Sequence, residues 1–177
     1  MRKIFVPILA IILCAGLLLG LYNMTLPLRQ AKAEEELQQK LLTLLPGSET
    51  FTTEAYDGED QTIRAVYKAE NGYVIATSTQ GYAGPIAMLI GVTNEGSVTG
   101  LQIRDMEETY GLGFEALTDA EFLAQFLGTE GDAEVGENID AITGATVTSK
   151  AITRSVNAAV AFVTGSDSSS GATSWGG

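Results

Sequence analysis

The spacing of the apolar positions changes several times along the chain, and each change marks a predicted element. Residues 4–22 contain no charged side chain, and nineteen helical residues span about 28 Å, close to the thickness of a bilayer's hydrocarbon core. Residues 28–45 instead carry leucines at helical spacing, and Pro46-Gly47 ends that pattern. The sequence therefore predicts a single membrane-spanning helix followed by an amphipathic helix. The leucines that define the second helix are Leu37, Leu41, Leu44 and Leu45.

The N-terminal apolar segment has two interpretations. Arg2 and Lys3 precede it, and the positive-inside rule then places the N-terminus in the cytoplasm and everything after Tyr22 outside. A cleaved signal peptide is the alternative. Its apolar core would be unusually long, and the nearest small-residue cleavage pattern, Ala31-Lys32-Ala33, lies downstream in a helical pattern. We therefore prefer a single-pass anchor in the cell membrane.

Four segments in the middle of the chain have the composition of strands. Residues 62–69 and 73–79 alternate apolar and polar side chains on either side of Asn71-Gly72, which is a strong hairpin signal. Residues 86–92 and 98–106 form a second pair, and the continuous apolar run at its start predicts a strand that is buried on both faces. Strands that follow one another through tight turns predict a largely antiparallel sheet.

Two helices are predicted after these strands. Thr118-Asp119-Ala120-Glu121 has the form of a capping box, which would open a short helix to Leu127 with Phe122, Leu123 and Phe126 inward. The segment from residue 147 or 148 to 163 carries apolar side chains at helical spacing and predicts a longer helix with one buried stripe. That stripe consists of Ile152, Val156, Ala159 (or Val160) and Val163.

Together these elements predict an α+β fold, in which one transmembrane helix precedes one domain with a largely antiparallel sheet and flanking helices. The predicted organisation is a membrane anchor at residues 1–27, a helical connector at 28–55 and the domain at 56–164. Residues 165–177 are rich in serine and glycine, a composition typical of disorder.

Composition excludes several classes of function. The net charge of -12 argues against binding nucleic acid through a basic surface. The chain has no histidine, so Ser-His-Asp and Cys-His catalysis are excluded, and its single cysteine excludes an intrachain disulfide or a cysteine metal cluster. No catalytic residue and no metal site is predicted, and a redox function would therefore require an organic cofactor.

The stretch from Asp140 to Lys150 combines small residues, hydroxyls and a predicted helix start. Gly144 and Ala145 allow a bulky ligand to approach the backbone closely. A helix that begins just after them presents free N–H groups and a partial positive charge, which suit an anion such as a phosphate. The alternative is an ordinary helix cap. The hydroxyls of this stretch belong to Thr143, Thr146, Thr148 and Ser149.

Residues 140–146 of this stretch, Asp-Ala-Ile-Thr-Gly-Ala-Thr, resemble the flavinylation motif of the FMN-binding domain family, and the resemblance extends over residues 56–163. It implies that FMN is attached covalently, through a phosphoester, to Thr146. It also implies a dedicated flavin transferase that uses FAD as donor, with Asp140 helping the transferase or its metal to engage the site. Residues 167–173 fit the same motif formally, which makes Thr173 an alternative acceptor, although no core anchor precedes it and no helix follows it.

A second segment also resembles the family. Residues 107–113 correspond to a Glu-Thr-Pro-Gly-Leu-Gly segment that helps to form the flavin pocket, with Tyr110 in place of the proline. The resemblance therefore implies pocket roles in this segment. The alternative is a glycine turn between sheet and helix, with Glu108 as a surface charge. The residues to which the resemblance assigns a pocket role are Glu108, Thr109, Gly111, Leu112 and Gly113.

Within the family, the chain most resembles the G subunit of Rnf-type ion-translocating ferredoxin:NAD oxidoreductase complexes, and next the C subunit of the sodium-pumping NADH:quinone reductase. The resemblance implies an anchored electron carrier that relays electrons between other membrane subunits, rather than a self-sufficient enzyme. Two alternatives stay open. One is a standalone anchored flavoprotein for extracellular electron transfer, and the other is an anchored binding module without a cofactor.

Overall fold

A computed structural model describes residues 16–17, 22, 31–106 and 113–166. The chain divides into two compact units, Met1–Lys40 and Leu41–Gly177. The first described helix, α1, covers residues 31–44, and in the first unit Lys32 and Glu36 form an exposed ion pair at 3.9 Å. Within the described residues, no helix has the length and hydropathy needed to cross a bilayer. The anchor predicted at residues 4–22 lies almost entirely outside them.

The second unit contains a five-stranded antiparallel sheet whose strands lie in chain order. Both predicted hairpins are confirmed, because each segment that alternates or runs apolar in the sequence forms a strand at nearly the predicted bounds. The fifth strand, Thr52–Glu54 at one edge of the sheet, was not predicted, because its three residues do not alternate between apolar and polar side chains. The strands are β1 Thr52–Glu54, β2 Ile63–Lys68, β3 Gly72–Gln80, β4 Pro85–Thr93 and β5 Val98–Met106.

The long helix α4, Thr146–Thr164, covers one face of the sheet. Ile75 of β3 and its cross-strand partner Ile90 of β4 lie on this face and are fully buried. The predicted stripe is confirmed, but α4 is buried around most of its circumference rather than along one stripe. The reason is that residues 133–139 cover its second side, where the Asn157 side chain donates to the carbonyl of Ala133 at 2.8 Å.

A segment of leucines at the end of α1 covers the opposite face of the sheet. Leu41, Leu44 and Leu45 are at most 4% exposed, and Thr99 of β5 donates to the Leu44 carbonyl at 2.5 Å. Strand β4 is therefore buried on both faces, as its continuous apolar run predicted. From Ile86 to Val92 every residue is buried except Ala87, which is half-buried, and Thr93 at the end of the strand is also half-buried. Pro46 and Gly47 end the helix, as predicted, and Gly47 adopts a positive φ of 88°.

Two short helices, α2 at Gly113–Thr118 and α3 at Ala120–Ala124, connect the sheet to the loop before α4. The predicted capping box at Thr118 is wrong. The Thr118 hydroxyl donates to the Phe114 carbonyl and so belongs to α2, and the Asp119 carboxylate instead accepts the N–H groups of Glu121 and Phe122 at the start of α3. The aromatic side of α3 is as predicted, because Phe122 and Phe126 are buried in edge-to-face contact.

Candidate functional site

The N-terminus of α4 lies at the end of the sheet where the chain turns from β3 into β4. Thr79, near the end of β3, donates to the Ala151 carbonyl at 3.1 Å and lies 2.8 Å from the Ser155 hydroxyl, both in the N-terminal half of α4. At the other end, Tyr73 of β3 packs edge-to-face on Phe162. Helix α4 therefore runs antiparallel to β3, and the loop before it reaches the sheet at the turn between β3 and β4.

The loop that carries residues 139–145 is attached at both ends and exposed in the middle. Ile139 is fully buried, Ala145 is 4% exposed, and Ile142 packs against the core. The Ala145 N–H donates to the Ile142 carbonyl at 2.9 Å, and Gly144 turns the chain with a φ of 83°, which favours glycine. The exposed Thr143 and Gly144 thus lie between the half-buried Ile142 and the buried Ala145.

Asp140 is exposed, and its backbone is held by one side chain that the sequence did not single out. The Asp140 N–H donates to Gln125 Oε1 at 2.7 Å, and Gln125 Nε2 donates to the Asp140 carbonyl at 3.3 Å. Gln125 is the C-cap of α3. Within the described part of the chain no donor contacts the Asp140 carboxylate, so this group faces solvent.

Thr146 is the first residue of α4 and is exposed. The N-cap residue Ala145 has no side chain that caps the helix, and within the described residues none from elsewhere replaces it. The N–H groups of the first turn therefore remain available to an anion. Of the other predicted hydroxyls, Thr148 and Ser149 are buried, and Ser149 donates to the Ala145 carbonyl at 3.0 Å. Thr143 in the preceding loop is exposed as well, so among the hydroxyls of the first turn of α4 itself Thr146 is the accessible one.

The charges around the helix start also suit an anion. Lys150 and Arg154 are exposed on α4, although every other residue from Thr148 to Ala161 is buried. Residues four apart on an α-helix differ by only about 40° in direction, so Thr146 and the two cations occupy the same side of α4. The first turn contains no acidic residue. An exposed hydroxyl, uncapped amides and two cations together fit a phosphate ester in an otherwise acidic chain.

The predicted pocket segment is described only at its end. Gly113 opens α2, which packs against α4, whereas Glu108, Thr109, Gly111 and Leu112 lie outside the described residues. The residue before the segment, Met106, pairs with Ile86 at the same edge of the sheet. One flank of this segment therefore lies at the end of the sheet where α4 begins, and the other flank packs against α4. The alternative acceptor Thr173 also lies outside the described residues.

Comparison with known proteins agrees with the resemblance found in the sequence. Residues 81–161 match the FMN-binding domain family. Over 176 residues the chain is 31% identical to the G subunit of the ion-translocating oxidoreductase complex of Methanosarcina acetivorans, and the match covers 91% of this chain and 93% of that protein.

Two further relatives are more similar over shorter stretches. The chain is 40% identical over 110 residues to the G subunit of the proton-translocating ferredoxin:NAD(+) oxidoreductase complex of Clostridium ljungdahlii, covering 55% of this chain and 59% of the relative. It is 38% identical over 98 residues to the G subunit of the Na(+)-translocating ferredoxin:NAD(+) oxidoreductase complex of Acetobacterium woodii, covering 50% and 47%. The chain thus spans only about half the length of these two relatives.

Proposed function

Because the chain belongs to the FMN-binding domain family and is related over nearly its whole length to the G subunit of an ion-translocating oxidoreductase complex, we propose that it is the flavin-bearing electron carrier of such a complex. FMN, when bound, exchanges one or two electrons and so connects donors and acceptors of either kind. An Rnf-type complex is the best-supported setting, since related proteins are named as ferredoxin:NAD(+) oxidoreductase subunits.

The proposed attachment point is the Oγ1 atom of Thr146. In the transfer from FAD, this oxygen forms a bond to the phosphorus on the flavin side, the bond from that phosphorus to the bridging oxygen breaks, and AMP leaves. A threonine hydroxyl is a weak nucleophile without a neighbouring base. Within the described residues no side chain hydrogen-bonds to the Thr146 hydroxyl, and Lys150, one turn along α4, is a cation rather than a proton acceptor. The proton therefore passes to a base on the flavin transferase, which the proposal includes as a maturation partner.

The chain's own residues hold and expose the acceptor. Gly144 and Ala145 have small or no side chains, so they leave room beside the start of the helix, and the exposed Thr146 is accessible to another enzyme. After transfer the phosphodiester keeps one negative charge, which the uncapped amides of α4 and the Lys150 side chain stabilise. The single observation that carries the proposal is this exposed threonine on an uncapped helix within the matched family region.

We also propose where the protein works. Residues 4–22 form a single-pass anchor with the N-terminus in the cytoplasm, and the FMN-binding domain lies on the other side of the membrane. Its partners are then the other membrane subunits of the complex. A covalent linkage suits this location, because a dissociable flavin would be lost outside the cell.

The decisive test is the intact mass of the protein isolated from its own membranes, with peptide mapping of the modified residue. We expect a gain equal to FMN minus water on the peptide that contains Thr146. Thr146→Val should abolish the gain, and Thr173→Val, the matched control in the tail, should retain it. A native protein with the bare polypeptide mass would refute the proposal, and a modified Thr146→Val variant would reject the site.

A further inference from the structure

The loop before Thr146, residues 139–145, is attached to α3 through the side chain of Gln125. The Gln125 carboxamide carries an N–H donor group and a carbonyl acceptor side by side, as a peptide group does. Both are used on one residue, because the Asp140 N–H donates to Oε1 at 2.7 Å and Nε2 donates to the Asp140 carbonyl at 3.3 Å. Two residues of antiparallel strands exchange their hydrogen bonds in the same reciprocal way. Gln125 therefore pairs with the Asp140 backbone in the way that a strand residue would.

Gln125 itself is firmly placed. Its N–H donates to the Phe122 carbonyl at 3.2 Å at the end of α3. The neighbouring side chains Phe122 and Phe126 are 2% and 0% exposed and hold this end of the helix in the core. The carboxamide thus extends from a fixed backbone to a loop whose central residues are exposed.

The two bonds leave the Asp140 carboxylate unused. They satisfy the backbone N–H and carbonyl of Asp140, and within the described residues neither group makes another hydrogen bond. The carboxylate is exposed and is carried six residues before Thr146. Gln125 holds the backbone of Asp140, and so it also holds the position of the Asp140 carboxylate relative to Thr146. An incoming enzyme that contacts both groups then finds them in one fixed arrangement.

We infer that Gln125 is a positioning residue for the flavinylation of Thr146. It acts through the backbone of Asp140 and touches neither FAD nor the reacting oxygen. This inference rests on the proposed function, since it concerns how the acceptor is presented to the flavin transferase. Its loss should lower the fraction of molecules whose loop is ready for transfer, without unfolding the domain.

The test compares full-length, flavin-free variants in a reaction with FAD and a flavin transferase. Gln125→Leu removes both hydrogen bonds, and Gln125→Glu keeps the acceptor for the Asp140 N–H but loses the donor to the carbonyl. The matched controls are Gln102→Leu and Gln102→Glu, because Gln102 is exposed in the middle of β5. The measurements are the rate of flavin incorporation, the thermal unfolding midpoint and the hydrogen exchange of the Asp140 amide.

We expect Gln125→Leu to slow incorporation by about tenfold, the effect of losing two hydrogen bonds of ordinary strength. Its Asp140 amide should exchange faster, while the buried strands keep most of their protection and the unfolding midpoint falls by only a few degrees. Gln125→Glu should fall between the two in rate and retain a protected Asp140 amide. Both Gln102 variants should match the unchanged protein.

The outcomes separate the two levels of the proposal. If the unchanged protein takes up no flavin, the proposed function fails. If it takes up flavin and Gln125→Leu does so at the same rate, only the positioning role of Gln125 is overturned. A slow Gln125→Leu variant whose buried strands lose as much protection as the Asp140 amide would also overturn it, because Gln125 would then be a general stability residue.

Discussion

Gly91 of β4 lies where the end of α1 approaches the backbone of the sheet closely. A Cβ atom added at this position would lie 2.2 Å from the Leu44 carbonyl oxygen and 2.6 Å from the Thr99 hydroxyl. Such distances are far shorter than van der Waals contact, and the carbonyl is part of the backbone. Gly91→Ala therefore forces the end of α1 away from the sheet.

The expected loss follows from the contacts that the shift would break. Thr99 donates to the Leu44 carbonyl at 2.5 Å, and leaving that buried carbonyl without its partner costs about 1–3 kcal/mol. Overpacking adds about 1–3 kcal/mol, whereas alanine in a strand returns about 0.5–1 kcal/mol relative to glycine. We expect Gly91→Ala to lower the free energy of unfolding by about 3 kcal/mol.

Gly100 of β5 provides the matched control, because it is the cross-strand partner of Gly91. A Cβ atom there would lie 3.2 Å from Leu44 Cδ2 and 3.4 Å from the Leu44 oxygen, and the flexible side chain can move aside. Gly100→Ala should therefore change stability by less than about 1 kcal/mol. Urea unfolding of the full chain, followed by far-ultraviolet circular dichroism, measures both variants. Equal midpoints would refute the close approach of Leu44 to β4.

Two further predictions concern polar contacts. Thr79→Val removes the hydrogen bonds to Ala151 and Ser155 and should lower the free energy of unfolding by about 1–3 kcal/mol. In a double-mutant cycle the same substitution should cost less when Ser155→Ala is already present. Strictly additive losses would contradict the contact between the two hydroxyls. The hydrogen bond to the Glu54 carboxylate holds the pKa of Lys68 above its usual range. The pair therefore stabilises the folded state below the pKa that Lys68 has in the unfolded chain, and this stabilisation is lost as pH rises through the pKa of Lys68 in the folded protein. Glu54→Gln should return the pKa of Lys68, followed by NMR, toward its usual value. An unchanged pKa would exclude the interaction between Lys68 and Glu54.

The sheet was predictable because its signals are local. The Asn71-Gly72 turn and the alternation around it specify a hairpin from adjacent residues, and the apolar run at the start of β4 implies cover on two sides. The short helix α2 was not predicted. Thr118 carries a cap signal, but its hydroxyl bonds backward to Phe114, and only the folded chain decides between these partners.

The site was predictable only in part. A contiguous motif predicted a helix just after Gly144-Ala145, and α4 begins there, at Thr146. The role of Thr146 as acceptor stays a prediction. Gln125 could not be found in this way. Its partner Asp140 is fifteen residues away, and a glutamine near the end of a short helix carries no sign that its amide folds onto another loop. Contacts of this kind depend on how α3 packs, which the local pattern does not specify.

The alternation of side chains in β3 and β4 gives each face of the sheet its own set of residues. Val74, Ala76, Leu89 and Gly91 belong to the side that receives Leu44, whereas Ile75 and Ile90 belong to the side that receives α4. Substitutions that refit one side therefore need not disturb the other. The leucine segment on one side and α4 on the other can therefore change independently during evolution, and a designer can combine the α4 side of this sheet with a different covering element on the other.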